Sequence, residues 1–385
     1  MKNVVEHKLC TGCTTCFNIC PNKAIEMIED EEGFSFPTIN EEKCVNCGLC
    51  ARNCPVKNTS KHEAKNVCYA AYNKNLEVRK KSSSGGVFNV LARYVLNSNG
   101  FVVGAAFDDE LHLIHKVISN EEELPLLMGS KYLQSELKNT FRYLQTILEK
   151  NLVLFVGTPC QIAGLRAFLQ KDYENLICVD LICHGVPSPK IFSRYLEELE
   201  RLNNSKVVKY NFRDKVTGWE NYSNTAEFNF GKFTQLQRNN AYMKLFLSDA
   251  ALRESCYNCK FKLGNKYSDI TLGDFWGIAN VYPEMYNTYG VSSIILNTEK
   301  GERIFEKVRS EFECKQCKLE EIVMFNPCLK ESPIRNVKRD SFFIDIDKLS
   351  FNELTRKYEK RTSLLKKVCG KMKSVIKSMK DKNKL

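Results

Sequence analysis

The chain has 385 residues, of which 43% are hydrophobic and 27% charged, the make-up of a soluble globular protein with room for two or three folding units. Its net charge of +11 is uneven: residues 351–385 hold twelve Lys/Arg against Glu353, Glu359 and Asp381, a net of +9, residues 1–60 carry −2, and the body over 61–350 is left with +4. A body so close to neutral excludes the phosphate-binding stripe that a nucleic-acid partner requires. No apolar run approaches the roughly eighteen residues of a membrane span, and "MKNVVEHKLC" lacks a secretory n-region and h-region. The expected location is therefore the cytoplasm.

Eighteen cysteines without an export signal argue for metal or redox chemistry rather than a disulfide framework. The run C-x2-C-x2-C-x3-C-P occurs twice, as "CTGCTTCFNICP" (Cys10, Cys13, Cys16, Cys20) and "CVNCGLCARNCP" (Cys44, Cys47, Cys50, Cys54). Such spacing lets three thiolates converge on one 4Fe-4S cubane while the fourth reaches a second. The crossed pairing predicts one cluster on Cys10, Cys13, Cys16 and Cys54 and another on Cys44, Cys47, Cys50 and Cys20, with each fourth cysteine starting a helix. Zinc is disfavoured because its sites take two pairs of ligands, not two runs of four ending in proline. The stretch resembles bacterial dicluster ferredoxins over about the first 56 residues. Between the runs, "AIEMIEDEEGFSFPTI" alternates as a hairpin turning at Glu32–Gly33, and "VKNTSKHEAKN" (56–66) reads as a polar linker.

In "KSSSGGVFNVLARYVL" a Ser/Gly loop (Ser83, Ser84, Gly85, Gly86) precedes a helix with apolar residues at 87, 88, 91, 94 and 95. Such a loop suits a phosphate, or is simply a flexible lead-in with an N-cap. "GFVVGAAFDDELHLIHKVI" reads as strand, turn and strand, and "GSKYLQSEL" as a helix start carrying Lys131, Tyr132 and Ser135 on one face. "LVLFVGTPCQIAGLRAFL" is a buried strand, a tight turn and a helix. Cys160 then stands at the carboxyl end of a strand, where α/β sheets bind ligands, and the helix dipole would favour its thiolate. "NLICVDLICHGVPSP" repeats the arrangement with Cys183 and His184, and "SCYNCKF" adds Cys256 and Cys259 before a stretch holding Asp269, Asp274 and Trp276. Cys160, Cys183, Cys256 and Cys259 are four candidate ligands for a third cubane or a structural zinc; taken singly, Cys160 and Cys183 also read as small buried residues. Cys68 and Cys178 read as core, and Cys314, Cys317 and Cys328 are not expected to bind a metal.

Together "SSGGVF", "GSKYLQS", "GTPCQIAGL", "DLICHGVPSP", "NFRDKVTGW" and "SCYNCKF…SDITLGDFWG" resemble the beta subunit of coenzyme F-420 hydrogenase/dehydrogenase, whose relatives include flavin-dependent reductases of chlorophyll-type substrates. The resemblance runs from about Ser82 to Gly277. It implies an FAD-containing domain with a nearby 4Fe-4S cluster, favours the third-cluster reading, and does not by itself imply a deazaflavin substrate. By the same analogy Ser83–Gly86, Lys131, Tyr132, Ser135, Arg213, Lys215, Asp269 and Asp274 are cofactor-binding candidates, with the Ser83–Gly86 loop, the Lys131–Ser135 stretch, Arg213 and Lys215 directed at flavin phosphates or a phosphorylated substrate; the bland reading of Arg213 and Lys215 is a surface charge pair with Asp214. The fold class expected is α+β or α/β: a ferredoxin-like dicluster domain over 1–60, a larger mixed α/β flavin-binding domain over 66–345, and a basic amphipathic helical tail over 350–385.

The implied function is an iron-sulfur flavoprotein oxidoreductase that passes electrons between an external ferredoxin-type donor, the clusters and FAD to a small two-electron substrate. The alternative is a non-catalytic electron-transfer subunit of a larger redox complex. His184 is a proton-donor candidate, although a lone histidine in a Gly/Pro loop is more often structural. The tail places Leu364, Leu365, Val368, Met372, Val375, Ile376 and Met379 on one stripe, which fits peripheral contact with the inner face of a membrane or packing on its own domain.

Overall fold

The computed structural model describes residues 4–58, 64–264 and 266–360. The front of the chain is the antiparallel hairpin of β1 (Ile25–Glu29) and β2 (Ser35–Ile39), with Ile25 opposite Ile39. Its turn is closed by Asp30, whose carboxylate accepts from the N–H groups of Glu32 and Phe34. A one-turn helix flanks it on each side, Thr15–Ile19 and Leu49–Arg52. The fourth cysteines therefore follow these helices rather than start them, contrary to the sequence expectation. Proline at the next position drives Cys20 into extended geometry (ψ 114°) and stops the helix there.

The body is built on β3 (Val67–Asn73), β4 (Phe101–Phe107), β5 (Leu113–Ile118), β6 (Val153–Gly157), β7 (Leu176–Leu181), β8 (Val207–Asp214), β9 (Ser223–Phe228), β10 (Gly231–Leu236), β11 (Ile270–Asp274), β12 (Ser292–Leu296) and β13 (Phe312–Cys317). Eight of these make one mixed sheet in the order β13-β3-β12-β11-β7-β6-β4-β5, and β10-β9-β8 form a small antiparallel sheet. The centre, β11-β7-β6-β4, is parallel, with antiparallel strands added on both sides. Parallel strands covered on both faces need apolar residues throughout. Accordingly Leu154 packs with Val95 and Ile177, while Phe155 packs with Phe141 and Ile162 on the other side. Because the strands run parallel, the residues following β6, β7 and β11 (Thr158–Cys160, Ile182–His184 and Phe275–Trp276) share one edge of the sheet.

Two expectations change here, and a third finds its physical reason. Residues 129–137 are irregular apart from an isolated bridge at Glu136, so Lys131, Tyr132 and Ser135 share no helix face. Cys314 and Cys317 lie on β13, where residues three apart face opposite sides: Cys314 packs with the Val90 cluster and Cys317 with Cys68 and Trp219. Their C-x-x-C spacing thus cannot chelate. Finally, residues 351–358, assigned to the tail, form the helix Phe351–Tyr358, which buries Phe351, Leu354 and Tyr358 against Tyr195 and Phe342 in the core under β8 and β9. The stripe from Leu364 to Met379 lies outside the described residues. No helix among the described residues is long and apolar enough to cross a membrane.

Candidate functional site

In the dicluster region the thiols gather in two sets. Cys10, Cys13, Cys16 and Cys54 ring a hollow of about 340 Å³ walled by Val4, Val5 and Pro55. Cys20, Cys44, Cys47 and Cys50 ring a second, of about 370 Å³, walled by Ile25, Ile39 and Pro21. Each set takes three cysteines from one run and the fourth from the other. Burial, followed by the neighbouring Cys13, Cys10 and Cys54, holds the Cys16 thiol well above its ordinary pKa. Burial and then Cys13 raise Cys54, and burial raises Cys50, with Cys20 and Cys44 adding to it. Four crowded thiols in an apolar hollow resist ionising together until a cation takes up their charge, which suits an iron-sulfur cluster. Among the described residues no three cysteine, histidine or carboxylate side chains close on a single metal-ion position.

A third pocket, of about 550 Å³, opens at the carboxyl edge of the large sheet. Cys160 enters it at the first turn of the helix Pro159–Leu169, whose start is fixed by a Thr158–Gln161 capping box. Cys183 follows β7, and Cys256 and Cys259 come from the turn Glu254–Asn258 and the residue after it. The four sequence candidates are therefore brought together. Cys328, which sequence spacing set aside, lines the same pocket; it arrives through the short turn Pro327–Leu329, far along the chain. Burial lifts the Cys183 and Cys256 thiols to about 12 and Cys160 higher still, overriding any pull from the helix dipole on Cys160. The charges facing this pocket are basic. Lys262 donates to the Cys183 and Cys328 carbonyls at 2.8 and 2.7 Å, and the fully buried Lys266 pairs with Asp180 at 2.8 Å. Arg253 also lines it. A thiol-rich, cation-lined pocket fits an anionic cluster.

His184 is held in this pocket wall by Asp249, 2.6 Å from its Nε2. Burial works to raise the Asp249 carboxyl, but hydrogen bonds from His184 and Lys360 outweigh it and keep that group below its usual range. The ring is thereby fixed in orientation within its loop.

The loop of the first thiol set packs on the helix that carries Cys160 of the third. Thr15 Oγ1 donates to the Gly164 carbonyl at 2.8 Å, and a Cβ added at Gly164 would stand 2.9 Å from Cys13 Cβ. Only glycine lets the Cys13 loop sit on the helix that carries Cys160. Gly164→Val is expected to cost about 1–3 kcal/mol by overpacking and to loosen the front domain; limited proteolysis that releases residues 1–60 faster than in the unaltered chain is the check.

Most of the proposed flavin contacts also cluster, but around one another. Arg213 is buried and holds Asp274 through two nitrogens at 3.1 and 3.2 Å, with further bonds to Tyr132 Oη and the Ser83 carbonyl. Its guanidinium lies 4.0 Å over the Tyr222 ring, and Trp219 stacks on Trp276 nearby. Lys215 donates to the carbonyls of Arg79, Ser84 and Tyr289, and Lys131 to those of Ala105, Leu126, Leu127 and Met128. Burial pulls each ammonium down to about 7. These cations are already committed, so they do not fit the role of phosphate ligands assigned to them. Gly85 is needed for packing, since its added Cβ would meet the Ala71 carbonyl at 2.5 Å. Asp269 sits at the opposite end of β11 from Asp274, tied to Arg166, Thr298 and the Cys178 N–H. Ser135 is buried between His115 and Gln161. Neither reaches the Arg213 group.

Residues 150–321 match the family described as the C terminus of the coenzyme F420 hydrogenase/dehydrogenase beta subunit, and residues 9–58 match a 4Fe-4S dicluster domain. The F subunit of the F(420)H(2) dehydrogenase of Methanosarcina mazei is 24% identical over 335 residues, spanning 80% of this chain and 85% of that protein. The coenzyme F420-dependent sulfite reductase of Methanocaldococcus jannaschii is 28% identical over 315 residues, 79% of this chain; the chain spans 46% of that relative's length. A chain from a solved structure of the F420-reducing NiFe hydrogenase complex of Methanosarcina barkeri shares the fold, with a TM-score of 0.50 at 17% identity over 70% of this chain and 90% of that one.

Proposed function

We propose, for a chain that belongs to the family of coenzyme F420 hydrogenase/dehydrogenase beta subunits through its C-terminal domain and carries a 4Fe-4S dicluster domain at its front, the function of an iron-sulfur electron relay within a redox complex. Three clusters make the path. The outer one is held by Cys20, Cys44, Cys47 and Cys50, the inner one by Cys10, Cys13, Cys16 and Cys54, and the third by four of the five thiols around Cys160, with Cys160, Cys183, Cys256 and Cys259 as the ligands. The observation that carries this reading is the packing of the Cys13 loop of the inner set on Gly164, in the helix that carries Cys160 of the third. The outer set is the natural entry point for a ferredoxin-type protein, because Cys47 and Val45 are exposed beside it.

A flavin in the large domain would supply the exchange between one-electron and two-electron chemistry. The commitment of Arg213, Lys131 and Lys215 to protein acceptors weighs against its phosphates lying where the sequence placed them, and favours delivery of electrons to a partner subunit. A small two-electron substrate of the deazaflavin kind, suggested by the relatives' names, would then be handled by the assembled complex. The test is iron and flavin per chain on protein purified without oxygen. About twelve iron, four for each of three clusters, with no flavin is the expected result. About eight iron sinks the third cluster, and one FAD per chain restores the flavoenzyme.

A further inference from the structure

Arg253 is 1% exposed, yet its guanidinium meets only neutral acceptors. Nε donates to the Cys10 carbonyl at 2.7 Å, Nη1 to Gln134 Oε1 at 3.1 Å and Nη2 to the Ser35 carbonyl at 3.0 Å, with the Phe36 and Phe34 rings 4.2 and 5.3 Å from it. Among the described residues no carboxylate forms an ion pair with it. The other deeply buried arginines behave differently: Arg213 holds Asp274, and Arg339 holds Glu32 and Glu254. A charge taken out of water without a counter-charge is costly, so the position of Arg253 asks what negative charge it faces.

Its surroundings supply the answer. The side chain grips the carbonyl of Cys10, in the inner dicluster set, while its own carbonyl accepts the Cys256 N–H at 2.9 Å, in the third set. Arg253 is also among the residues lining the third pocket. A cubane carried by four thiolates is anionic, and its potential is set by net charge, hydrogen bonds and solvent exposure. A buried cation stabilises the reduced, more negative form and therefore raises the potential. The outer set has an arginine as well, Arg142, which donates to the Cys20 carbonyl at 3.1 Å, but that residue is only half-buried and screened by solvent.

Resting on the relay reading above, we propose that Arg253 is the shared counter-ion of the inner and third clusters, holding both at higher potential than the outer one so that electrons entering at Cys47 run inward. It is a positioning residue for charge and bonds none of the iron itself. No carboxylate can substitute without cancelling the effect, and the Arg253–Gln134 contact offers a way to impose that cancellation from outside the arginine.

The experiment is a spectroscopically monitored redox titration of the full chain, purified without oxygen, as the unaltered protein and as Arg253→Met, Arg253→Lys and Gln134→Glu. The outer signal is assigned by its loss in Cys20→Ala. Arg253→Met is expected to lower the midpoint potentials of the inner and third clusters and leave the outer one in place, whereas Arg253→Lys keeps all three. Gln134→Glu, which retains the arginine and neutralises it, is expected to lower the same two potentials; it carries the test if Arg253→Met fails to load iron. Unmoved potentials in Gln134→Glu, or a shift in Arg253→Lys as large as in Arg253→Met, overturn the proposal. Iron content separates this from the relay itself: about eight iron per chain removes the third cluster, while about twelve with unmoved potentials removes only the counter-ion.

Discussion

Cys54→Ala and Cys20→Ala are each expected to lose about four iron per chain, and from opposite clusters to those that chain order suggests. Cys54 belongs to the second run but completes the hollow of Cys10, Cys13 and Cys16. Cys20 belongs to the first run but completes that of Cys44, Cys47 and Cys50. Double variants make the assignment unambiguous. Cys20→Ala with Cys47→Ala should lose no more iron than Cys20→Ala alone, because both sit on one cluster. Cys20→Ala with Cys13→Ala should lose about eight. The reverse pattern would mean that each run holds its own cluster.

The same variants should destabilise the front domain severely. Its apolar core is small: Val4, Ile25, Cys16 and Cys54 are its buried members, with Val5, Phe17, Ile39 and Val56 packed partly against them. Two of those four, Cys16 and Cys54, are proposed cluster ligands, which would make the clusters part of the core. In domains of this size metal-ligand bonds supply most of the folding free energy. Removing iron with a chelator should therefore render residues 4–58 protease-sensitive first, while the large domain, with its extensive aromatic and aliphatic core, outlasts the loss of its own cluster.

What could be read from the chain, and what could not, divides along physical lines. Local signals worked. Two cysteine runs ending in proline, a hairpin with Gly33 at its turn, and the apolar runs of β6 and β7 each depend on neighbours in sequence. The thiols of Cys160, Cys183, Cys256 and Cys259 were legible because strand ends of a parallel sheet share an edge. Cys328 was not, since it reaches that edge from about seventy residues beyond Cys259, and no spacing rule spans such a distance. Cys314 and Cys317 look like a chelating pair as text; only strand periodicity shows that they point apart. The acceptors of Lys131, Arg213 and Lys215 were not legible, because sequence shows a cation and not the carbonyls or carboxylate that the fold brings to it. Gly164 and Arg253 carried no signal beyond adjacency to cysteine motifs, and their meaning comes from the front domain that packs on them.

The Arg213–Asp274 pair leads to the second large effect. Asp274→Ala should cost the large domain about 3–5 kcal/mol, because it leaves a buried guanidinium without its charge partner. Arg213 is 4% exposed, and after the change only Tyr132 Oη and the Ser83 carbonyl would remain on its two terminal nitrogens. The indole N–H of Trp219, 2.7 Å from Asp274 Oδ1 and itself buried, would lose its acceptor as well. Asp274→Asn should cost less, since an amide oxygen can still accept one of these bonds. The diagnostic comparison is Asp274→Ala with Arg213→Met: removing both partners leaves no orphaned charge, so the double variant should be more stable than Asp274→Ala alone. Urea unfolding of the large domain, followed by tryptophan fluorescence, reads all three through the midpoint at constant slope. Iron content should stay unchanged in each variant, because the pair touches none of the thiols. An iron loss in Asp274→Ala at full stability would instead place this group in the third cluster's own support, and the pair would then belong to the relay rather than to the fold that carries it.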